Sequence, residues 1–374
     1  MACEISVGVI GYHIARVLAK TLIDIPRLYP ELNCSVRLKT LCGRNLGLLK
    51  TVARAYGFHD YTVHWQELAE DPEIDLLING APNFLHTEPC IAALDADKHV
   101  FCEKPLAGTL AEARRMSQAA GRSNRTTMVG YNYRFVPAII LARTIVKSGQ
   151  IGSIHQGCFR YIDEAFIDPG ADLGWRRDKA LSGRGVLGDL GSHAIELARY
   201  LLGEPAAVSG STRIFTDTGE NRQITAPDAA LGTLYYADGS FFSFEASSCC
   251  TGRKNWLAFE LYGLEGALMW SLERINELHL YLNRDRINRV SGFRRIYVSS
   301  RDHSDLVNWP PVEHPVGIDI SYLLELRHLV ERIAKDQSVK PEGADFGDGL
   351  RIELICEAFE ASARRAGTEV DIEI

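Results

Sequence analysis

The chain has 374 residues, 46% hydrophobic and 24% charged, with a formal net charge of −7. That is enough for two domains with sizeable cores, and an acidic balance without a basic block argues against nucleic acid as the main partner. No apolar run approaches the ~20 residues a membrane-spanning helix needs.

The N-terminus runs almost directly into "ISVGVIG", a first buried strand, without the basic and apolar regions of a secretory signal. "HIARVLAKTLI" is a helix expected to stop near Pro26, because proline cannot supply the next backbone donor. "VRLKTLCG" is a second strand and "LGLLKTVARAYG" a helix closed by Gly57. "TVHWQELAEDP" holds a short strand or turn and a small helix, and "IDLLINGAP" is a buried strand ended by Pro82. "TEPCIAALDADK", "HVFCEKP" and "LAEARRMSQAAGRS" continue the alternation, and "TTMVGYNYRF" carries a sixth strand. Strands alternating with helices predict a doubly wound parallel sheet of the Rossmann kind over residues 1–125.

From residue 126 to 374 the pattern changes. "IHQGCFRYI", "AAVSGSTRIFT", "AALGTLYYADGSFFSFEASS", "NWLAFELYGLEGALMWSLE" and "NELHLYLNR" are short strands joined by turn residues, with "ADGS" as a hairpin signal. An α/β domain with an open, mostly antiparallel sheet follows. "NRDRINRVSGFRRIYVSSRDH" reads as an exposed loop or edge strand, and "SYLLELRHLVERIAK" and "GDGLRIELICEAFEASARR" as closing helices. The nine cysteines form no CxxC pair and several sit in apolar runs. They suit small buried hydrophobes in a reducing, cytoplasmic compartment, and no metal site.

Several segments can carry chemistry. In "GVIGYHIA" the strand ends in Gly11, where a phosphate turn would supply two further glycines; Tyr12, His13, Ile14 and Ala15 follow instead. The turn reads as one residue short: either a cofactor site or simply a strand entering a helix. The second strand ends in Gly43 and Arg44, where an acidic residue would bind the adenosine ribose. Without that carboxylate a 2′-phosphate meets no repulsion, and Arg44 can pair with it, which tilts the cofactor from NAD towards NADP. The alternative is a surface arginine after a tight turn.

"GAPNFLH" and "FCEKPLA" end buried strands, so they fall on the carboxyl edge of the sheet, where ligands bind. Ala81, Pro82, Asn83 and His86 suit a nicotinamide pocket; equally, Asn83 serves as a turn residue and His86 as the start of the next helix. Lys104, beside Glu103, can stabilise a developing alkoxide, and Pro105 admits a cis peptide bond. In "SGRGVLGDLGSHAIELARYLLGEP" the apolar residues fall at helical spacing from Leu190, which puts Asp189 and His193 on the first turn. A carboxylate beside an imidazole is a general-base arrangement; an N-cap aspartate and a structural histidine give the same pattern.

"APNFLH", "EKPLA", "GYNYRF" and "GVLGDLGSHAIELARYLLGEP", in this order, resemble the glucose–fructose oxidoreductase, inositol dehydrogenase and rhizopine-catabolism family of NAD(P)-dependent oxidoreductases. The resemblance covers nearly the whole chain. It implies a Rossmann domain followed by a domain whose open sheet is often used for oligomerisation, here a homodimer or homotetramer. It implies an oxidoreductase moving a hydride between nicotinamide and a secondary alcohol of a sugar, sugar derivative or inositol-like polyol.

By the same resemblance Lys104, Asp189 and His193 are the catalytic group. His193 takes the hydroxyl proton, Asp189 supports its charge and binds a neighbouring hydroxyl, and Lys104 holds the reacting oxygen. Gly11, Tyr12, His13, Ile14, Gly43, Arg44, Ala81, Pro82, Asn83, His86, Glu103 and Lys104 border the cofactor. Tyr131, Asn132, Trp175 and Arg176 fall to the substrate. The chain departs from the family in its glycine fingerprint, with Ala15 standing for the third glycine, and "IDIPRLYPELNCS" lengthens the first crossover. That departure leaves two other readings: a non-enzymatic nucleotide-sensing regulator on the same fold, or a glycosidase that uses NAD transiently.

Overall fold

A computed structural model describes residues 3–167, 174–216, 224–300, 302 and 313–373. Its first part is the expected alternation. β1 (Cys3–Ile10), α1 (Tyr12–Leu28), β2 (Cys34–Cys42), α2 (Leu46–Tyr56), β3 (Asp60–Thr62), α3 (Trp65–Glu70), β4 (Leu76–Asn79), α4 (Thr87–Asp95), β5 (His99–Cys102), α5 (Leu110–Arg122) and β6 (Thr127–Val129) follow in turn. The strands form one six-stranded sheet in the order β3-β2-β1-β4-β5-β6, every pair parallel. Reversal of direction at β1 is the doubly wound topology, with loops gathered at the carboxyl ends. α1 buries Ala15, Leu18, Ala19, Leu22 and Ile25, one stripe at helical spacing. It runs two residues beyond the stop expected near Pro26. Proline removes only its own donor there, and Tyr29 N–H still reaches the Ile25 carbonyl at 2.8 Å.

The second sheet has nine strands. α6 (Pro137–Lys147), β7 (Ile154–Ile162), α7 (Lys179–Ser182) and α8 (Ser192–Leu202) precede β8 (Ala207–Arg213), β9 (Ala229–Tyr235), β10 (Phe241–Ser247), β11 (Trp256–Gly263), β12 (Gly266–Ser271), β13 (Glu277–Leu282) and β14 (Arg294–Tyr297). With β15 (Val370–Asp371) the order is β14-β13-β12-β11-β7-β10-β9-β8-β15. Only β7 and β10 pair in parallel among these neighbours, so the sheet is mostly antiparallel and open. The "ADGS" hairpin joins β9 to β10, with Gly239 at φ 86° and the Asp238 carboxylate receiving the Ser240 N–H at 2.9 Å. β14 is the edge strand expected of the basic stretch, whose residues 301 and 303 lie outside the described residues.

Two long helices, α9 (Asp319–Ala334) and α10 (Phe346–Arg364), precede β15. The chain divides into one unit of residues 3–135 with 318–350, and a second of the remaining described residues. This differs from a single boundary at residue 125, and the reason is pairing and packing. β6 is a strand of the first sheet, and Val129 N–H donates to the Ala344 carbonyl at 2.8 Å, which gives its edge a partner. α9 packs on α1, with the Arg327 guanidinium 4.8 Å from the Tyr29 ring centre.

In the second unit the end of α10 is keyed into the sheet by Phe359. A Cβ on Gly210 would fall 2.3 Å from the Phe359 ring, and one on Gly232 2.6 Å from it, so the two glycines form the ring's notch. Phe244 meets the same ring edge-on at 5.5 Å. Phe359→Ala should therefore cost about 3–5 kcal/mol of folding stability. A denaturation midpoint unchanged from wild type would contradict this packing account.

Candidate active site

The sheet's hydrogen-bond ladder continues one residue beyond β1, β2, β4, β5 and β6. Gly11 N–H donates to the Cys42 carbonyl at 2.9 Å, Gly80 to Ile10 at 2.8 Å, Glu103 to Asn79 at 2.8 Å and Gly130 to Cys102 at 2.8 Å. Gly43 N–H closes the series on Thr62 at 3.2 Å. Every loop start expected to border a cofactor is thus tied to its neighbour's strand end. β1 and α1 are joined by Gly11 alone, at φ 102°, where a Cβ would lie 2.4 Å from the Gly80 carbonyl oxygen. Ile14 sits against Gly80, since a Cβ there would be 1.9 Å from its Cγ2. Tyr12 lies over Gly43 and beside the His13 ring, whereas Arg44 is exposed.

The loops after β4 and β5 are built by two buried side chains. Asn79, not singled out by the sequence, donates to the Leu85 and His86 carbonyls at 3.1 and 3.2 Å and accepts the Ala81 N–H at 3.1 Å. Its position at the end of a buried strand was the available signal. His86 is 1% exposed, with Nδ1 2.9 Å from the Pro105 carbonyl and Nε2 2.8 Å from that of Ala81. Burial pushes its pKa down while those carbonyls pull it up. The ring expected to border the cofactor therefore ties the Ala81–Pro82 turn to the Lys104–Pro105 turn. The Lys104–Pro105 peptide bond is cis. Asn83 is buried in a 3₁₀ turn, its side-chain oxygen taking the Phe84 N–H at 3.0 Å.

Glu103 lies against Gly130, where a Cβ would meet its Oε2 at 3.0 Å. Burial pushes its carboxyl up to about 7, with Lys104 acting in the opposite direction. The Tyr322 hydroxyl is raised by burial and then by Glu103, which puts α9 beside the same carboxylate. Tyr131 is buried. Asn132, expected on the substrate side, donates to the Ser321 hydroxyl at 2.9 Å and so anchors the β6 loop to α9.

In the second unit the helix expected from Leu190 starts earlier. Leu187–Gly191 forms a π-turn that runs into α8, so Asp189 sits in a widened turn and His193 in regular helix. Arg176 Nε donates to Asp189 Oδ2 at 3.2 Å, and its guanidinium lies 4.7 Å from the Trp175 ring centre. Three predicted residues are thereby brought together, with His193 one helical turn on. His193 is 5% exposed and meets the Tyr161 ring at 5.7 Å. Asp163 follows β7 two residues after Tyr161; burial pushes its carboxyl up, the Ala165 N–H and Ser248 hydroxyl pull it down, and Asp189 raises it further. Tyr161 and Asp163 were not read from the sequence, because only the fold puts β7 beside α8.

The segment leading into the π-turn is pinned by Arg184. Its guanidinium donates to Glu353 at 2.9 Å, Glu357 at 3.1 Å and Glu360 at 2.5 Å, all on α10. Burial works against its charge, but Glu353, Cys356 and Glu360 hold the pKa above the ordinary value. Among the described residues no cluster of three His, Cys, Asp or Glu could hold a metal, and no helix is long and apolar enough to cross a membrane.

Comparison with known proteins decides the family. Residues 5–131 match the oxidoreductase family model with an NAD-binding Rossmann fold, and residues 139–269 match the GFO/IDH/MocA C-terminal domain. Levoglucosan dehydrogenase of Pseudarthrobacter phenanthrenivorans is 33% identical over 345 residues, 87% of each chain. The chain belongs to the GFO/IDH/MocA oxidoreductase family. Glucose-6-phosphate 3-dehydrogenase of Bacillus subtilis is 27% identical, over 76% of this chain and 77% of its own. A levoglucosan dehydrogenase solved with NADH and levoglucosan superposes with a TM-score of 0.93 at 31% identity, covering 99% of this chain and all of that one. This family member is an oxidoreductase with an NAD-binding first unit.

Two tests follow from the buried charges. Arg184→Met would leave Glu353 and its neighbours without their cation and should cost about 3–5 kcal/mol; a wild-type melting temperature would refute the clamp. For Glu103, a raised folded pKa means protonation favours the folded state. That contribution is complete below the ordinary value of 4.5 and is lost as pH rises through about 7. Glu103→Gln should therefore lose less stability than wild type between about pH 5 and about pH 8 in thermal melts; parallel losses would refute the assignment.

Proposed function

We propose that this enzyme oxidises a secondary alcohol of a sugar, sugar derivative or inositol-like polyol and reduces a nicotinamide dinucleotide. The observation that carries the reading is a complete set of Lys104, Asp189 and His193 in a chain similar over nearly its full length to a dehydrogenase solved with NADH and levoglucosan. His193 takes the hydroxyl proton, Asp189 balances the resulting charge and receives a neighbouring substrate hydroxyl, and Lys104 clamps the reacting oxygen. Arg176 orients Asp189, and Trp175 stacked beside it offers an apolar face for a sugar ring.

The residues of the first unit fit the dinucleotide. The first turn of α1 carries no acidic residue and no side-chain cap, which leaves amide donors at a helix start for a pyrophosphate. Gly11 itself carries no side chain into that corner, since a Cβ there would collide with the Gly80 carbonyl oxygen at 2.4 Å. Asn83 and Glu103, with Ala81 and Pro82, border the nicotinamide end, and Tyr131 the substrate. When bound, the nicotinamide supplies the hydride acceptor. We assign NADP as well as NAD, with Arg44 binding the 2′-phosphate.

The open sheet face exposes Leu231 and Phe241 and holds a groove of about 270 Å³ lined by Trp256 and Met269, which suits a homodimer or homotetramer. Nine unpaired cysteines suit a cytoplasmic setting.

The test is nicotinamide reduction across levoglucosan, myo-inositol and aldose substrates. Wild type should turn over at least one of them, and His193→Ala should lose about 10²–10⁴ in kcat with dinucleotide affinity retained. Arg44→Ala should weaken NADPH about tenfold and leave NADH unchanged. Dinucleotide binding without turnover, unaffected by His193→Ala, would favour a regulator; aglycone release without net reduction would favour a glycosidase.

A further inference from the structure

Two departures from the family's dinucleotide motif, the lost second glycine and the lost carboxylate after β2, meet at one point in the structure. The Gly11 N–H bond to the Cys42 carbonyl brings the residues that follow each of them, Tyr12 and Gly43, alongside one another. The Tyr12 ring fills the space between them. A Cβ on Gly43 would stand 2.7 Å from Tyr12 Cδ1 and 3.2 Å from Cε1, with Leu49 Cδ2 at 3.3 Å on the other side. Tyr12 is flanked in turn by the His13 ring, centroids 4.8 Å apart. An aspartate or glutamate at position 43 would have to displace the tyrosine before it could reach a ribose.

We infer that Tyr12 and Gly43 act as one specificity-determining unit for the adenosine end of the cofactor. The ring takes the place on the β2–α2 turn that a ribose-binding carboxylate would need. Shortening the phosphate turn put a side chain there, and only glycine at 43 tolerates it. The adenosine end is then held by an aromatic surface and no fixed anion, so a 2′-phosphate enters without like-charge repulsion. Arg44, next in the chain and exposed, supplies the cation. This inference rests on the dinucleotide reading given above.

Equilibrium binding of NADH and NADPH, followed by nicotinamide fluorescence, tests it as a double-mutant cycle. Wild type should bind both. Gly43→Asp should weaken both at least about tenfold, because the new side chain collides with the ring. Combining it with Tyr12→Ala should bring NADH back to within about threefold of Tyr12→Ala alone, while NADPH stays at least about tenfold weaker against the new carboxylate. Should Gly43→Asp fail to fold, Gly43→Ala gives the same reading by melting temperature: a drop in the wild-type background and none on top of Tyr12→Ala. Additive effects in a chain that binds both dinucleotides would overturn this inference alone. A wild-type chain that binds neither would overturn the dinucleotide reading and the inference with it.

Discussion

The first unit depends on one constraint: after β1, β2, β4, β5 and β6 the hydrogen-bond ladder runs one residue past the strand and into the next loop. Gly11 on Cys42, Gly80 on Ile10, Glu103 on Asn79 and Gly130 on Cys102 form an unbroken row of backbone bonds along the carboxyl edge of the sheet. Buried backbone donors must be satisfied, and these bonds satisfy them while fixing where each loop leaves the sheet. Asn79 and His86 extend the same logic with side chains, bonding carbonyls of the turns that carry Ala81 and Pro105. The one-residue turn between β1 and α1 is held in this setting from both sides, by β2 and by the residue after β4.

The second unit uses charge where the first uses backbone. Arg184 is 5% exposed and faces Glu353, Glu357 and Glu360, so a buried cation is compensated by three carboxylates from one face of α10. Such a cluster is costly to desolvate and more costly to break, which makes it a device for fixing position more than for adding stability. It holds the chain immediately before the π-turn that carries Asp189. Gly191, in the same turn, stands against Phe244 of β10, where a Cβ would come within 3.0 Å of the ring. The widened turn is thus held by α10 before it and by the sheet after it, and Arg176 reaches its Asp189 directly.

The residues read as chemical from the sequence divide into two kinds. Gly11, Lys104, Asp189 and His193 stand at strand ends and on a helix start, positions that periodicity and turn residues locate well. His86 and Asn132 lie in motifs too, and their side chains also meet the Pro105 and Ala81 carbonyls and the Ser321 hydroxyl. A motif marks an arrangement of backbone and side chain without saying which member faces the ligand. Asn79, Tyr161, Asp163 and the Arg184 cluster were not legible at all. Each depends on a partner far along the chain, and a single sequence holds no record of that pairing.

The sequence by itself determined the order of strands and helices, the parallel first sheet and the open, mostly antiparallel second one, because apolar periodicity and turn chemistry are local properties. It also carried the family through four separated motifs. Tertiary structure decided that α9 joins the first unit, that Asp189 lies in a π-turn, and that Tyr12 and Gly43 occupy one space. Those outcomes turn on which surfaces meet and how much room a missing Cβ leaves, quantities that exist only once distant segments are packed together.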